Sequence, residues 1–227
     1  TITVNPTAQM GEVSDIVVCN GQVENIDFTT DNSGGITSYV WENTGGVDVG
    51  LGSSSGTIED TSPDLSFTAT NAGSDPISTQ ITVYPTFEND DVTCTSASQT
   101  FTIIVNPEPQ IDNFTQTICE GEDFDEITPV NGDDGVVPSG TTYTWEIDET
   151  SSSNITGGAN SSEAASSIPG SILINTSNTP QNFVYEVTPI TPDDCQGNPF
   201  LITITVNPMA QMGEVSDIVV CNGQVEN

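Results

Sequence analysis

The side chains here that could do chemistry are few: five cysteines, 33 carboxylates, and no lysine, arginine or histidine. Without a basic side chain there is no standard nucleophile–base pair, and zinc loses its imidazole ligand. Cys19, Cys94, Cys119, Cys195 and Cys221 contain no Cys-x-x-Cys pair. Disulfides in an oxidising compartment are the chemistry expected of them. Cys19–Cys94 and Cys119–Cys195 lie at nearly equal spacings, 75 (94 − 19) and 76 (195 − 119), which predicts one bond within each unit. Closing a loop of that length would stabilise a unit by at most roughly 4–5 kcal/mol in the chain-entropy model. Cys221 would take a partner beyond residue 227.

The carboxylates cluster at Glu88-Asn89-Asp90-Asp91, Asp193-Asp194, Asp133-Asp134 and from Glu120 to Glu126. Hard oxygen ligands suit calcium, and Asp90, Asp91, Asp193 and Asp194 are its candidate ligands. None of these clusters has the spacing of an EF-hand loop. Paired carboxylates also hydrolyse glycosides, yet no two of the 33 stand apart. No enzyme is expected, and no cofactor other than calcium. Trp41 and Trp145 could stack on sugars. Their matching mid-strand positions place them in the core beside the disulfides instead. Asn113, Asn154, Asn160 and Asn175 each open an Asn-x-Ser/Thr triplet, a pattern that arises easily in so Asn/Ser/Thr-rich a chain.

A formal charge of −33 with no cation rules out several partners. Nothing can neutralise phosphate, so nucleic acid is excluded, as are anionic membrane surfaces. No apolar run approaches the ~20 residues of a membrane span, so no direct membrane insertion is expected in this segment. Self-repulsion favours solubility, and salt or divalent cations relieve it.

The elements that must position these residues repeat. Residues 203–227 restate residues 1–25 with Thr7 against Met209 as the one difference, and a looser copy opens at Thr102-Ile103-Ile104-Val105-Asn106-Pro107. The Asn-Pro pairs at 5, 106 and 207 are 101 residues apart both times (106 − 5 and 207 − 106), which marks a tandem array. The chain reads as a closing strand of a preceding repeat (1–6), one repeat at 7–107, a second at 108–208, and the start of a third at 209–227.

Strand patterns run through both full units: Ile16 to Cys19, Val23 to Phe28, Thr37 to Glu42, Asp64 to Thr70, Ile77 to Tyr84 closed by Pro85, and Phe101 to Val105. The second unit repeats the order, with Tyr143-Thr144-Trp145 matching Tyr39-Val40-Trp41. Phe87 to Ser98 reads as an acidic loop, 45–56 as a Gly/Ser loop and 151–167 as a flexible low-complexity loop. About seven short strands per unit predict an all-β fold of tandem immunoglobulin-like sandwiches. Pro6, Pro107 and Pro208 at the junctions predict an end-to-end, semi-rigid rod.

This ordered set resembles the PKD-like, immunoglobulin-like repeats of giant Bacteroidota surface adhesins, including gliding-motility proteins exported by type IX secretion. Its parts are an early Cys-x-Gly, a Tyr-x-Trp strand, a strand ending in Tyr-Pro or Thr-Pro, a late cysteine after acidic residues, and Thr-Ile-x-Val-Asn-Pro. The Trp-x-Phe-Gly-Asp-Gly signature of PKD domains proper is absent: Trp41 is followed by Glu42-Asn43 and Trp145 by Glu146-Ile147. The resemblance implies a bacterial cell-surface, extracellular filament or stalk, with neighbouring repeats as partners and no catalytic residues. Two alternatives stand beside that reading. The repeats could bind surface glycans or a receptor through loops 45–56 and 151–167, or the chain could be a discrete subunit polymerising by strand exchange through 1–6 and 209–227.

Overall fold

The computed structural model describes residues 2–59, 64–161 and 163–211. Every regular element among them is a β-strand. The first repeat contains β1 (Ile16–Cys19), β2 (Val23–Asp27), β3 (Ile36–Asn43), β4 (Ser55–Glu59), β5 (Asp64–Thr68), β6 (Ile77–Asn89), β7 (Val92–Thr95) and β8 (Gln99–Asn106). One sheet runs β1-β8-β6-β3-β4, with β7 continuing beside β6, and β2 pairs with β5 in the other. Strand β1 lies parallel to β8, with Val18 opposite Val105. The other pairings in this repeat are antiparallel. This is the strand arrangement of an immunoglobulin-like sandwich.

The second repeat contains β9 (Gln110–Ile111), β10 (Phe114–Cys119), β11 (Gly135–Val136), β12 (Thr142–Ile147), β13 (Ile155–Thr156), β14 (Ile174–Asn175), β15 (Gln181–Ile190) and β16 (Phe200–Asn207). Its main sheet, β10-β16-β15-β12, repeats the first, down to a parallel β10–β16 pair. The counterpart of the β2–β5 pair is reduced to isolated bridges, Asp123–Ile172 and Ile127–Ile168, and two short antiparallel pairs, β9–β11 and β13–β14, stand beside them.

Alternation along the strands builds two separate cores. Phe28, Tyr39, Trp41, Ile81, Phe101 and Ile103 anchor the first. Phe124, Tyr143, Phe183, Tyr185, Phe200 and Ile202 anchor the second. Aromatic pairs lock each one, for example Phe28–Tyr39 at 5.3 Å and Phe183–Tyr185 at 4.7 Å.

The two repeats share one register. Tyr39 faces Pro85 and Trp41 faces Val83; Tyr143 faces Pro189 and Trp145 faces Val187. Pro85 does not end its strand as expected. It lies inside β6, between the stretch that pairs with β8 (Ile77–Val83) and the stretch that pairs with β7 (Thr86–Asn89). On the side facing β8 and β7 no residue pairs with Pro85, so its missing N–H removes no ladder bond on that side. The expected acidic loop from Phe87 to Ser98 is therefore largely a hairpin. Asn89 pairs with Val92, and Asp90 (φ 50°) and Asp91 (φ 60°) form its two-residue turn. Two positive φ values are what such a turn demands, and aspartate tolerates them.

The segment 151–167 is not a free loop where it is described. Ser161 N–H donates to the Trp145 carbonyl (2.9 Å) and Tyr143 exchanges backbone bonds with Ala165, so it flanks β12 where β4 flanks β3. Residues 2–15 contain no strand, and Ile2 and Val4 are exposed. The third-repeat start assigned to 209–227, Cys221 included, lies outside the described residues from 212 onward.

An asparagine fixes the same end of both sandwiches. Asn71 Nδ2 donates to the carbonyls of Asp75 and Val105, each at 2.9 Å. Asn175 Nδ2 donates to Thr179 (2.9 Å) and Val206 (2.8 Å). Asn175 is buried, with its amide hydrogens engaged, so this triplet is not a glycan acceptor. Asn175→Ala would strand two carbonyls and should destabilise the second repeat by roughly 2–3 kcal/mol. Exposed Asn154→Ala should cost no more than about 0.5 kcal/mol. Urea titrations of the two variants check the contrast.

Candidate functional site: the junction between repeats

Each repeat has an outgoing end, where its closing strand hands over to the next unit, and an incoming end opposite. In the first repeat the outgoing end holds Cys19, which faces Asn106 at the tip of β8. Strand β6 starts at that end, with Ile77 facing Val105. It reaches Phe87 ten residues later, and Cys94 faces Phe87. At about 3.3 Å per residue, Cys19 and Cys94 lie roughly 30 Å apart along the sheet. A disulfide needs Cα atoms within about 7 Å.

The expected Cys19–Cys94 pairing is therefore wrong, and Cys119–Cys195 fails for the same reason. Cys119 faces Asn207 at the outgoing end of the second repeat. Cys195 lies past Ile190, at the far end of β15. Near-equal spacing reported a repeat correctly, but it did not report a contact.

The structure instead bonds Cys19 to Cys195, with Cα atoms 5.6 Å apart and 176 residues between them in sequence. The bond joins the outgoing end of the first repeat to the incoming end of the second. Closing so long a loop is worth about 5 kcal/mol in the chain-entropy model. Only Pro107, Glu108 and Pro109 separate β8 from β9, so the chain and the disulfide make two covalent links across one junction.

Around them, Ser74, Asp75, Pro76 and Pro107 meet Pro138, Pro192 and Asp193 about a crevice of roughly 70 Å³. Asn131 Nδ2 donates to Ser74 Oγ across it at 3.1 Å. Four of these groups are prolines, whose fixed φ lowers the entropy lost on docking.

The predicted calcium ligands do not converge. Asp90 and Asp91 form a hairpin tip, and Asp194 (φ 60°) occupies a turn of its own. Asp193 lines the crevice beside Asp75. Asp134 Oδ2 is spent on the Val130 N–H (2.8 Å). Among the described residues no three His, Cys, Asp or Glu side chains gather to hold a metal ion.

The tryptophans part company. Trp41 is buried, with β4 laid over it so closely that a Cβ at Gly56 would sit 2.7 Å from its indole nitrogen. Trp145 is only half-buried, its Nε1 donating to the Ala159 carbonyl at 3.1 Å. It packs against the second core and edge-on to Tyr185 at 6.4 Å, so the core role expected of it holds in part. It also borders a groove with Glu146, Ser161, Glu186 and Thr188.

Electrostatics is one-signed. Asp27 and Asp64 face each other across β2 and β5. A hydrogen bond with Asp27 holds the Asp64 carboxyl above its usual range, with desolvation and the Asp27 charge adding to it. Asp148 is held below its usual range by the hydroxyl and amide of Thr150. Burial, with the Asp134 charge, pushes Tyr143 up to about 12.

Residues 116–210 match the family model described as PKD-like domain. That span is the second repeat, from within β10 to just past β16. No curated protein sequence matches the chain. Among solved structures the chain is similar to the fibronectin(III)-like modules of Clostridium thermocellum CbhA, at 12% identity over 92% of this chain and 100% of that one, TM-score 0.32. It is also similar to the human Desmocollin-1 ectodomain, at 12% identity over 90% of this chain and 42% of that one, TM-score 0.34. The titin domains z1z2, in complex with telethonin, align at 12% identity over 92% and 100%, TM-score 0.29. The sandwich assignment rests on the strand order and on the PKD-like match. No helix among the described residues is long and apolar enough to cross a membrane.

Two outcomes follow. Cys19→Ser should leave both sandwiches folded with their native strand pairing, because the bond lies in neither core, while unfolding of the two-repeat chain becomes easier by at most about 5 kcal/mol. Near-UV circular dichroism should persist while small-angle scattering broadens as the junction loosens; loss of both signals would make the bond a core staple. For pH, the folded chain keeps a proton at Asp64 where the unfolded chain has lost it. Stability thus falls as pH rises from the ordinary aspartate range through the raised Asp64 value, and it stays lower above. Asp148 works in the opposite sense, losing its contribution as pH falls through its lowered range. Thermal unfolding of Asp64→Asn should gain less than the native chain on moving from neutral to mildly acidic pH.

Proposed function

We propose that the chain is a structural segment of an extracellular stalk or filament, in which tandem sandwiches are joined end to end to project or tether a cell-surface adhesin. The carrying observation is the Cys19–Cys195 bond. A disulfide placed between domains lies in neither core and ties the two together, and such bonds persist outside reducing cytoplasm. Proline-tight junctions, a fixed repeat and the PKD-like match support the same reading. So does the parallel pairing of the first and last strands, Ile16–Cys19 on Ile103–Asn106. Tension applied to the two ends of a repeat would slide those strands past each other, loading their bonds together rather than one by one. A bacterial surface, and the gliding adhesins among its proteins, is the setting that the motif resemblance favours.

A second reading draws on Trp145. A half-exposed indole beside Glu146 and Glu186 offers a sugar-stacking face, which would make the repeats glycan-binding modules with surface glycans as partners.

Antibodies against the chain should label intact, unpermeabilised source cells, and surface proteolysis by an acid-residue protease should remove the label. Labelling only after permeabilisation would overturn the stalk reading. A glycan array probed with the native chain and with Trp145→Ala tests the second reading: binding that the substitution abolishes supports it, and no binding to any glycan removes it.

A further inference from the structure

Two cysteines stay reduced among the described residues: Cys94, half-buried, and Cys119, exposed. Neither stands at an arbitrary place. Cys119 repeats the setting of Cys19 bond for bond. Each is the last residue of the strand that runs parallel to the closing strand, facing Asn106 or Asn207. The amide of Cys19 donates to Gln22 Oε1 (2.9 Å), and that of Cys119 to Glu122 Oε2 (3.1 Å). Asn20 N–H donates to the Asn106 carbonyl, and Glu120 N–H to the Asn207 carbonyl, both at 2.9 Å. Glycines at φ 81° and 82°, Gly21 and Gly121, complete the two turns.

Cys94 likewise repeats Cys195. Cys94 faces Phe87, two residues beyond Pro85. Cys195 accepts from the amide of Thr191 (3.0 Å), two residues beyond Pro189. In the one junction that the structure contains, a cysteine of the first kind is bonded to a cysteine of the second kind.

A separate observation places such a junction at Cys94. Val4-Asn5-Pro6 has the sequence of a closing strand's end, as in Val105-Asn106-Pro107. Asn5 is docked on the hairpin that carries Cys94: its Nδ2 donates to the Asn89 carbonyl (2.9 Å) and Asn89 Nδ2 donates to Asn5 Oδ1 (3.0 Å). A Cys19-type cysteine faces the asparagine of that motif one strand away, roughly 5 Å. A repeat preceding this one would thus deliver its early cysteine to the neighbourhood of Cys94.

We infer that Cys94 and Cys119 are the two halves of a second disulfide of the Cys19–Cys195 kind, formed between copies of this repeat pair. Cys119 at the outgoing end of one copy bonds Cys94 at the incoming end of the next. Every junction of the array then carries one cross-link, and the stalk is stapled throughout its length. The chemistry is thiol–disulfide exchange with an external disulfide. One cysteine thiolate attacks it and forms a mixed disulfide, releasing one thiolate. The second cysteine thiolate attacks the bonded cysteine sulfur and releases the other. The external disulfide takes two electrons and ends as two thiols, while the protein loses two electrons and two protons. Docking of ends that carry only negative charge should proceed better at higher ionic strength.

The inference deepens the stalk reading and rests on it. Two experiments test it. First, the protein as isolated from its source, alkylated before extraction, is cut with an acid-residue protease and mapped by mass spectrometry without reduction. A peptide pair joining Cys94 to Cys119 is expected. Alkylated Cys94 and Cys119, or bonds within one repeat, would overturn the proposal. Second, the 227-residue chain with Cys221→Ser is oxidised with glutathione disulfide at high salt. Ladders of cross-linked chains are expected, falling roughly tenfold or more in Cys94→Ser and in Cys119→Ser, because docking raises the local thiol concentration only for the matched pair. Monomers with both thiols free or glutathionylated would overturn it, as would ladders indifferent to either substitution. Cell-surface labelling is unaffected by these results: labelling without the Cys94–Cys119 bond would remove this bond alone and leave the stalk reading standing.

Discussion

The parallel pairing of the opening strand with the closing strand decides most of what this chain can do. It brings Cys19 and Cys119 to the tips of β8 and β16, and so to the outgoing end of each sandwich. The antiparallel return through β6 or β15 carries the late cysteine to the incoming end. A sheet roughly 30 Å long then separates the two cysteines of one repeat. Neither can reach the other within a repeat, and Cys19 of the first repeat meets Cys195 of the second instead. The same topology that closes the fold therefore places these two cysteines at the junction between repeats.

Cohesion without cations imposes a second condition. Thirty-three carboxylates and no basic side chain mean that no side-chain ion pair can help hold either fold or the junction. What remains is apolar burial, backbone ladders, neutral hydrogen bonds and covalent bonds. The asparagines fit this economy. Asn71 and Asn175 bind carbonyls inside the sandwich ends, and Asn131 crosses the junction to Ser74. A neutral amide does there what an arginine or lysine does elsewhere, without needing an opposite charge. Where two acids do meet, at Asp27 and Asp64, they share a hydrogen bond, and Asp64 holds its proton above the usual range.

Much of the fold was legible in the sequence because strand alternation and repetition are local signals. The strands around Tyr39, Leu65, Phe101 and their counterparts emerge from alternation, and the matched Tyr-x-Trp motifs share one register. The site was less legible. Spacing along a chain does not encode which end of a sheet a residue reaches; that needs the strand order. Proline at 85 looked like a terminator because a sequence does not display where a ladder leaves a gap. The low-complexity stretch near Ser161 looked free because its bonds to Trp145 are made by backbone and a serine hydroxyl, which carry no hydrophobic period. The half-exposure of Trp145 follows from the irregular segment beside it, which covers less of the indole than β4 covers of Trp41. The paired roles of Asn71 and Asn175 had a faint signal: an asparagine two residues beyond the equivalent positions Ala69 and Leu173.

A load applied along two repeats joined in this way would have two routes across their junction. One is the backbone, from β8 through Pro107 into the second repeat. The other is Cys19–Cys195, which ties the tip of β1 to the hairpin beyond β15. With the backbone alone, tension would enter a repeat at the start of β1 and leave at the end of β8, shearing the few residues that pair the two strands. With the disulfide present, the outgoing tip of β1 is itself anchored to the next unit. Part of the load then passes along β1 and across the sulfur bridge without crossing the β1–β8 ladder. The parallel ladder, four residue pairs in the first repeat, is the element that would carry this shear. The cross-link bypasses that element, which gives a physical reason for placing a disulfide between domains and none within them.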